Sequence, residues 1–213
     1  IIRMSIPTDA GGSLLISNGA IYVSLTDSLG FPLSVTPGRN ISFNYPDINL
    51  TQAMRVFHGE QTGTGVFNWL QATDSILNYV STIPNAYLVY TNKLGWINNA
   101  NYHDNVTTTP PQTQIAIELP SYYTNANSIV YASFDNFNSV IELTGDAVTR
   151  QFRSGNVPVG RQVKIIVMSK QAGSYFMGTA PTLTATAPQG YQTVTVNPTI
   201  TSFNNIESYL STL

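Results

Sequence analysis

Apolar and polar positions alternate with a period of two over most of the chain. In "IIRMSIP", Ile2, Met4 and Ile6 fall on one side of an extended backbone and Arg3 and Ser5 on the other. This is the pattern of a half-buried strand. Similar runs recur at intervals of about eight to twelve residues, separated by Gly, Pro and Asn, as in β-sandwich proteins. The pattern therefore predicts an all-β protein.

Two segments of the N-terminal half carry specific turn signals. Asn18-Gly19 separates "SLLIS" from "AIYVSLT" and predicts a tight β-hairpin, because both residues tolerate the positive φ that such turns need. The segment "TDSILNYVSTI" is ambiguous between helix and strand, and Asp74 is a candidate N-cap for a short helix there.

Helical periodicity is clear only near the end of the chain. In "SFNNIESYLSTL", Ser202 can cap the first turn, and Phe203, Ile206 and Leu210 share one face at 3.6-residue spacing. The sequence therefore predicts a short C-terminal helix on a β-protein.

The domain organisation follows from length and from one Pro-rich stretch. The chain has 213 residues, and domains centre on about 100–150 residues. Pro110-Pro111 in "VTTTPPQTQ" is unsuited to a central strand and favours an extended linker. We predict two immunoglobulin-like β-sandwich units, residues 1–106 and residues 112–213, the second with the terminal helix.

Charge is scarce in this chain. Charged residues make up 9 % of it and the net charge is −2, against about 25 % charged residues in an average soluble domain. A surface of hydroxyls and amides repels its own copies weakly, which favours side-by-side packing. The nine Lys and Arg residues are too few and too scattered for a nucleic-acid interface. With no cysteine, disulfides and thiolate metal sites are excluded.

The start of the chain and its hydropathy suggest where the protein works. The sequence begins with Ile1 rather than Met, and no segment approaches the roughly 20 apolar residues of a membrane-spanning helix. A signal peptide is also missing. We therefore expect a processed, exported protein at the cell surface or outside the cell, without a membrane span.

Four segments together resemble a known group of proteins: "MRVFHGEQTGTGVFNW" (54–69), "KLGWINNANYHD" (93–104), "NSIVYASFDNFNSVIEL" (127–143) and "NVPVGRQVKIIVMS" (156–169). They resemble cell-surface proteins of Bacteroidota with immunoglobulin-like or carboxypeptidase-regulatory-like β-sandwich domains, over roughly residues 15–180. The resemblance implies export and a surface role, and it implies no chemistry. Where such relatives carry Cys-Asp after "GWIN", this chain has Asn99 and Ala100, so no role transfers to those positions.

The same resemblance implies a form of glycosylation. Bacteroidota attach sugars to Ser or Thr in Asp-Ser/Thr-apolar triplets, and "DSL" and "DSI" make Ser28 and Ser75 candidate acceptors. Asn-x-Ser/Thr sequons also occur, at Asn40, Asn49 and Asn105. A chain this rich in Asn and Thr produces such short motifs by chance as well.

The stretch "TNKLGWINNANYHDN" (91–105) is the densest run of recognition-type side chains. Trp96 and Tyr102 are possible contacts for a glycan, since aromatic faces pack on sugar rings. However, Trp96 and Trp69 both stand in apolar runs, and a buried Trp is worth up to roughly 4–6 kcal/mol. We predict that both tryptophans lie in the core and that Asn98–Asn105 form a loop of Asx turns.

Catalytic and metal sites find little support. Four potential ligands form a site only if the fold assembles them, and the sequence lacks a helix-borne pair such as HExxH: these are His58, Glu60, His103 and Asp104. Asp135, Asn136 and Asn138 lack the register of a calcium loop. No carboxylate pair or nucleophile motif stands out. We therefore expect a non-enzymatic protein without a cofactor or a metal.

Two hypotheses of function follow. The first is a structural or adhesive surface protein, a subunit of a pilus-like filament or surface layer whose partners are its own copies or other surface proteins. Assembly would use side-by-side packing or donation of the first strand, with Ile2, Met4 and Ile6 filling a neighbour's core; an ordinary strand within its own sheet remains open. The second is a glycan-binding module for surface nutrient capture, with Trp96 or Tyr102 at the ligand.

Overall fold

The computed structural model describes residues 6–50, 53–61, 67–103, 111–134, 138–180, 183–184 and 191–213. Within these residues the chain forms β-strands and one short C-terminal helix, so the all-β prediction is confirmed. Internal contacts divide the chain into two compact units. Asp9–Asn105 form one, which we call the N-terminal unit, and Ile1–Thr8 with Val106–Leu213 form the other, the C-terminal unit. The described residues 6–8 thus group with the C-terminal half, which differs from the expected boundary.

The described residues of the N-terminal unit form eight strands in two antiparallel sheets. The larger sheet has the order β1-β2-β8-β4-β5 and the smaller the order β3-β7-β6. The strands are β1 (Asp9–Ala10), β2 (Ser13–Val23), β3 (Ile41–Pro46), β4 (Arg55–Gln61), β5 (Phe67–Gln71), β6 (Tyr79–Ile83), β7 (Ala86–Thr91) and β8 (Gly95–Tyr102).

The two sheets of this unit share an apolar core. Val56 and Ile97 from the larger sheet cluster with Tyr45, Tyr87 and Val89 from the smaller one. Alternation along each strand sends these side chains to the same face. The pattern breaks down along β8, where the four residues 97–100 are all buried, so this central strand is covered on both faces.

The predicted hairpin at Asn18-Gly19 is wrong. Strand β2 continues through both residues and pairs with β8 on either side of them, with a register shift between Ser17 and Gly19. Gly19 has φ +145°, and the Asn18 amide donates a 2.5 Å hydrogen bond to Asp47. Asn-Gly supplies the backbone freedom that both a tight turn and a β-bulge require. The long partner strand β8 selects the bulge, because a turn would forfeit half of this pairing.

The alternative of a short helix after Asp74 is wrong as well. The Asp74 carboxylate accepts hydrogen bonds from the N–H groups of Ile76 and Leu77, and the Asn78 N–H donates to the Asp74 carbonyl. Asp74 therefore caps a single turn. The chain then enters β6, whose Val80 packs on the core, and this tertiary contact overrides the local helical signal.

Ten strands lie in the part of the C-terminal unit that the structure describes. Its main path of hydrogen-bonded neighbours is β13-β9-β12-β11-β10-β14-β15-β18, with β16 on β14 and β17 parallel to β9. The strands are β9 (Gln112–Glu118), β10 (Ser128–Phe134), β11 (Ser139–Asp146), β12 (Gln151–Arg153), β13 (Val157–Pro158), β14 (Gln162–Gln171), β15 (Ser174–Thr179), β16 (Leu183–Thr184), β17 (Tyr191–Thr195) and β18 (Thr199–Thr201).

The helix α1 (Phe203–Leu210) begins at the predicted cap. The Ser202 hydroxyl accepts a hydrogen bond from the Asn205 N–H, as an N-cap should. Of the three apolar residues expected on one face, only Ile206 is buried; Phe203 is 51 % exposed. No helix in the described ranges is long and apolar enough to span a membrane.

Thr8, near the N-terminus, and Pro111, at the end of the predicted linker, are both hydrogen-bonded within the C-terminal unit. Thr8 and Val140 exchange hydrogen bonds through the Thr8 backbone and hydroxyl. Pro111, at the end of the predicted linker, accepts a 2.8 Å hydrogen bond from the Val159 N–H. Pro110 lies outside the described residues.

Candidate functional sites

An ordered loop between β2 and β3 presents four large apolar side chains to solvent. We call residues 25–33 the apolar loop. Leu25 is 49 % exposed, Leu29 79 %, Phe31 64 % and Leu33 50 %. Single exposed apolar side chains are normal on a protein surface, but several within one short segment mark a binding surface.

The backbone of the apolar loop is held by a regular set of hydrogen bonds. The Asp27 carboxylate accepts from the N–H groups of Leu29 and Phe31, both at 2.9 Å. Asp27 and Leu33 donate their own N–H groups to the carbonyls of Phe31 and Leu25, and Thr26 pairs with Pro32 in a β-bridge. The loop is therefore a small hairpin whose shape does not depend on burying its side chains.

The sequence contained a signal for this surface that periodicity did not detect. In "SLTDSLGFPLSV" the apolar residues stand among Gly, Pro and Asp, which indicated punctuation between strands. The informative feature was the number of large apolar residues inside a turn, where no core position was available for them.

A second apolar surface lies in the C-terminal unit, between α1 and the sheet. We call it the α1 groove. Its volume is about 590 Å³. Phe203, Ile206 and Leu210 of α1 line one side, and Ile129 and Met168 from β10 and β14 line the floor. Tyr175 contributes from β15, with its ring centroid 5.6 Å from that of Phe203.

A polar pocket with a volume of about 240 Å³ lies around His58 in the N-terminal unit. His58 is only 7 % exposed. Its Nε2 atom lies 2.8 Å from the Thr91 hydroxyl, which lies 3.1 Å from Oδ1 of Asn78. Asn78 Oδ1 also accepts from the Asn92 N–H, and the Asn78 amide nitrogen donates to the Asp74 carbonyl.

These contacts determine the tautomer of His58. The Asn78 Oδ1 atom is an acceptor, so Thr91 donates its single hydroxyl proton to it. His58 must then donate through Nε2–H, which leaves the lone pair on Nδ1. Burial lowers the pKa of His58 to about 4, with a smaller lowering by the positive charge of Lys93 and an opposing effect of Glu60. The imidazole is therefore neutral at neutral pH.

Hydrogen-bond acceptors predominate around this pocket. Glu60, Asp74 and Asn92 line it together with His58 and Lys93. Lys93 Nζ lies 3.7 Å from Glu60 Oε1 on the exposed side. The Asn92 Oδ1 atom is buried and has no hydrogen-bond partner within the described residues. A ligand with hydroxyl groups would satisfy it, because an unpaired buried acceptor costs free energy.

The two tryptophans differ in their exposure to solvent. Trp69 is buried, at 1 % exposure, as predicted, whereas Trp96 is partly exposed. Trp96 lies opposite Tyr22 and Gly59 in neighbouring strands, and Phe67 packs edge-on against it, with 6.2 Å between ring centroids. Because Gly59 has no side chain, the Phe67 ring occupies the space above it.

The predicted loop of Asx turns at Asn98–Asn105 is wrong for its described part. Asn98 and Asn99 are fully buried in β8, and the Ser17 hydroxyl donates a 2.8 Å hydrogen bond to Asn98 Oδ1. Tyr102, at the end of β8, packs edge-on against Phe57. Each amide is paired with strand β2 through one atom only, since Asn99 Nδ2 donates to Asn18 Oδ1 at 3.5 Å. The Asn98 Nδ2 and Asn99 Oδ1 atoms are buried without a hydrogen-bond partner within the described residues.

The positions predicted for strand donation and glycosylation differ in exposure. Ile6 is buried, at 4 % exposure, while Ile2 and Met4 lie outside the described residues. Ser28, Ser75 and Asn49 are exposed and Asn40 is partly buried. Thr51, which completes the Asn49 sequon, and Asn105 lie outside the described residues.

The described residues among the potential metal ligands do not form a metal site. Within the described ranges, no group of three or more His, Asp or Glu side chains is placed to hold a metal ion. His103 is buried, and its backbone N–H donates a hydrogen bond to the Leu14 carbonyl. Asp104, Asp135 and Asn136 lie outside the described residues.

Comparison with known proteins adds no relative to this description. No protein-family model matches the chain, and a search of curated proteins gave no match.

Proposed function

We propose that the protein is a non-enzymatic structural or adhesive protein of the cell surface, a subunit of a filament or surface layer. The apolar loop is the observation that carries this proposal. Its backbone is ordered by its own hydrogen bonds, and Leu29 and Phe31 project into solvent. Such a surface serves binding, because leaving large apolar groups in water forgoes about 1.5–3 kcal/mol for each one.

The charge of the loop favours a protein as its partner. Asp27 is the only charged residue between residues 24 and 38. A loop that inserts into a membrane is helped by basic residues that attract anionic lipids, and this loop has none. An apolar surface with a single charge, on a chain of net charge −2, is suited to contacts with other copies, which repel it weakly.

Side-by-side packing is the proposed route of assembly, rather than donation of the first strand. Ile6 is already buried by its own chain, and Thr8 is hydrogen-bonded to Val140. Donation to a neighbour would have to give up these contacts. The resemblance to Bacteroidota surface proteins is consistent with this role and remains a prediction.

Sedimentation velocity and negative-stain electron microscopy of the wild-type chain test the proposal. We expect concentration-dependent assembly into fibres or sheets, and we expect the double variant Leu29→Ser/Phe31→Ser to remain monomeric. Ile76→Ser is the matched control, because Ile76 is 82 % exposed in the same unit but outside the loop. A wild-type chain that stays monomeric at every concentration contradicts the proposal.

Glycosylation at Ser28 would conflict with this use of the loop, because Ser28 lies within it. Mass spectrometry of proteolytic peptides from the native protein locates any glycan and so distinguishes the two. A glycan on Ser28 would exclude the loop as a contact surface, whereas a glycan on Ser75 would leave it free.

Glycan binding is the second candidate function. The His58 pocket is a better candidate for the binding site than the surface at Trp96. The buried, unpaired Asn92 Oδ1 and the neutral His58 suit a hydroxyl-rich ligand of about one sugar ring. We expect NMR titration with glucose, galactose, mannose and N-acetylglucosamine to shift signals of this pocket. Asn92→Ala should weaken binding by roughly tenfold, the effect of about one lost hydrogen bond, while Asn44→Ala on exposed β3 should not. Absence of shifts with all four sugars removes this candidate.

A further inference from the structure

We propose that the apolar loop of one copy inserts into the α1 groove of a second copy, so that subunits assemble head to tail. This inference rests on the proposed function and specifies the contact by which it works. The loop and the groove are different surfaces of the same chain, and each is complete within its own unit.

The size and lining of the groove suit the side chains of the loop. The groove holds about 590 Å³, within the roughly 300–1,000 Å³ of pockets that bind drug-sized molecules. It therefore has room for the side chains of Leu29 and Phe31 together. Phe203 is 51 % exposed and Ile129 38 % exposed, so two of its largest apolar side chains remain in water until something covers them.

The rim of the groove also complements the charge of the loop. Lys170 is exposed at the rim and lies over the Tyr175 ring at 5.4 Å. The loop carries the single negative charge of Asp27, whose Oδ1 atom already accepts two backbone hydrogen bonds. Oδ2 can then face Lys170 of the second copy. Glu207, also at the rim, repels Asp27 and so favours the orientation in which Asp27 lies toward Lys170.

This pairing predicts an open chain of subunits. A contact between two different surfaces is heterologous, and it continues from copy to copy unless the rotation closes a ring. If loops instead packed against loops, the contact would be isologous and would stop at a dimer. The two arrangements can therefore be distinguished by mixing a variant with a defective loop and a variant with a defective groove.

The test is a complementation experiment. The loop variant is Leu29→Ser/Phe31→Ser, and the groove variant is Phe203→Asp/Ile129→Thr. An acidic residue in the first turn of α1 is favourable for the helix, and a β-branched residue suits strand β10, so the groove variant should fold. Circular dichroism and the thermal midpoint check folding of both. Phe203→Ser replaces the groove variant if its midpoint falls.

We expect each variant alone to be monomeric, with self-association weakened by at least tenfold. An equimolar mixture should form a heterodimer that does not grow. In it, the intact loop of the groove variant occupies the intact groove of the loop variant, and the other loop and groove are disabled.

The outcomes separate this inference from the proposed function. If wild type assembles and the groove variant assembles equally well, the loop has another partner surface and the inference is overturned while the proposed function stands. If both variants are monomeric and the mixture is also monomeric, the contact is not heterologous, and the inference is again overturned. If the loop variant assembles as wild type does, the loop is not the contact, and the inference is overturned while the proposed function stands. If wild type never assembles, the proposed function fails as well.

Discussion

At the scale of single residues, His58 shows how position in the fold sets chemistry. Its free imidazole would titrate near pH 6.5, but burial beside Thr91 and near Lys93 lowers its pKa to about 4. The neutral ring is part of a hydrogen-bonded chain that also joins β7 to the Asp74 turn through Asn78. Protonation of His58 therefore opposes folding.

The sign of this effect gives a pH prediction. Between about pH 6.5 and pH 4 the unfolded chain binds a proton at His58 that the folded chain does not, so folding stability falls as the pH falls through this window. At about 1.4 kcal/mol per pKa unit, the loss over this window is at most roughly 3.5 kcal/mol. We expect His58→Gln, whose amide can still donate to Thr91, to remove most of this pH dependence in urea unfolding.

The control for the His58 experiment is the difference in the pH dependence of folding stability between wild type and His58→Gln. Asp9 and Glu142, whose pKa values are raised by burial, titrate in both proteins and so cancel in the difference. Equal pH dependence of wild type and His58→Gln would show that His58 is not the group responsible.

Gly59 gives a second prediction at this scale. A Cβ atom at this position would lie 2.7 Å from Trp96 Cβ and would overlap the Phe67 ring. We expect Gly59→Ala to destabilise the protein by about 1–3 kcal/mol, as overpacking does, measured by urea unfolding. Gly155→Ala is the matched control, because its Cβ would meet nothing within 4 Å. A cost within about 0.5 kcal/mol at both positions would contradict this account.

At the scale of elements, residue 8 is linked to β11 by the Thr8 hydroxyl and by the Thr8 backbone N–H, which donates to the Val140 carbonyl. The Thr8 hydroxyl donates to the Val140 carbonyl at 3.1 Å and accepts from the Val140 N–H at 2.6 Å. Both groups are buried, so water cannot replace the hydroxyl. The segment that the sequence suggested for strand donation is thereby held, at residue 8, in its own chain.

Removing this hydroxyl tests how tightly the segment is held. We expect Thr8→Val to destabilise the protein by about 1–3 kcal/mol, because the Val140 N–H loses a buried acceptor. Hydrogen exchange at the Val140 amide should also become faster. Thr199→Val, on the exposed face of β18, should change neither quantity. Unchanged exchange at Val140 in the Thr8 variant would show that the segment is not held through this hydroxyl.

At the scale of the whole molecule, scarcity of charge determines how assembly should respond to salt. With a net charge of −2 and 9 % charged residues, neither attraction nor repulsion between copies is strong. The proposed contact is mainly apolar, with one ion pair at its rim.

We therefore expect assembly to change less than about threefold between roughly 0.05 M and 0.5 M sodium chloride, since screening removes only a weak term. Ammonium sulfate should promote assembly, because sulfate strengthens burial of apolar surface. Light scattering at fixed protein concentration measures both responses. Dissociation of the assemblies in about 0.5 M sodium chloride would show that charge, and not the apolar loop, holds the copies together.

The sequence by itself determined the features that depend on neighbouring residues. Alternation of apolar and polar positions gave the all-β class, and Ser202 with the spacing of the following residues gave α1 and its cap. These features could be read because strand alternation and helix capping are properties of a few consecutive residues.

Only the tertiary structure decided the features that depend on a distant partner. Strand β8 turned Asn18-Gly19 from a turn into a bulge and buried Asn98 and Asn99, which local composition had placed in a loop. The sequence showed the apolar residues of the 25–33 loop but not their exposure. Burial depends on what the remainder of the chain brings over a position, and that information lies in pairings between residues far apart in sequence.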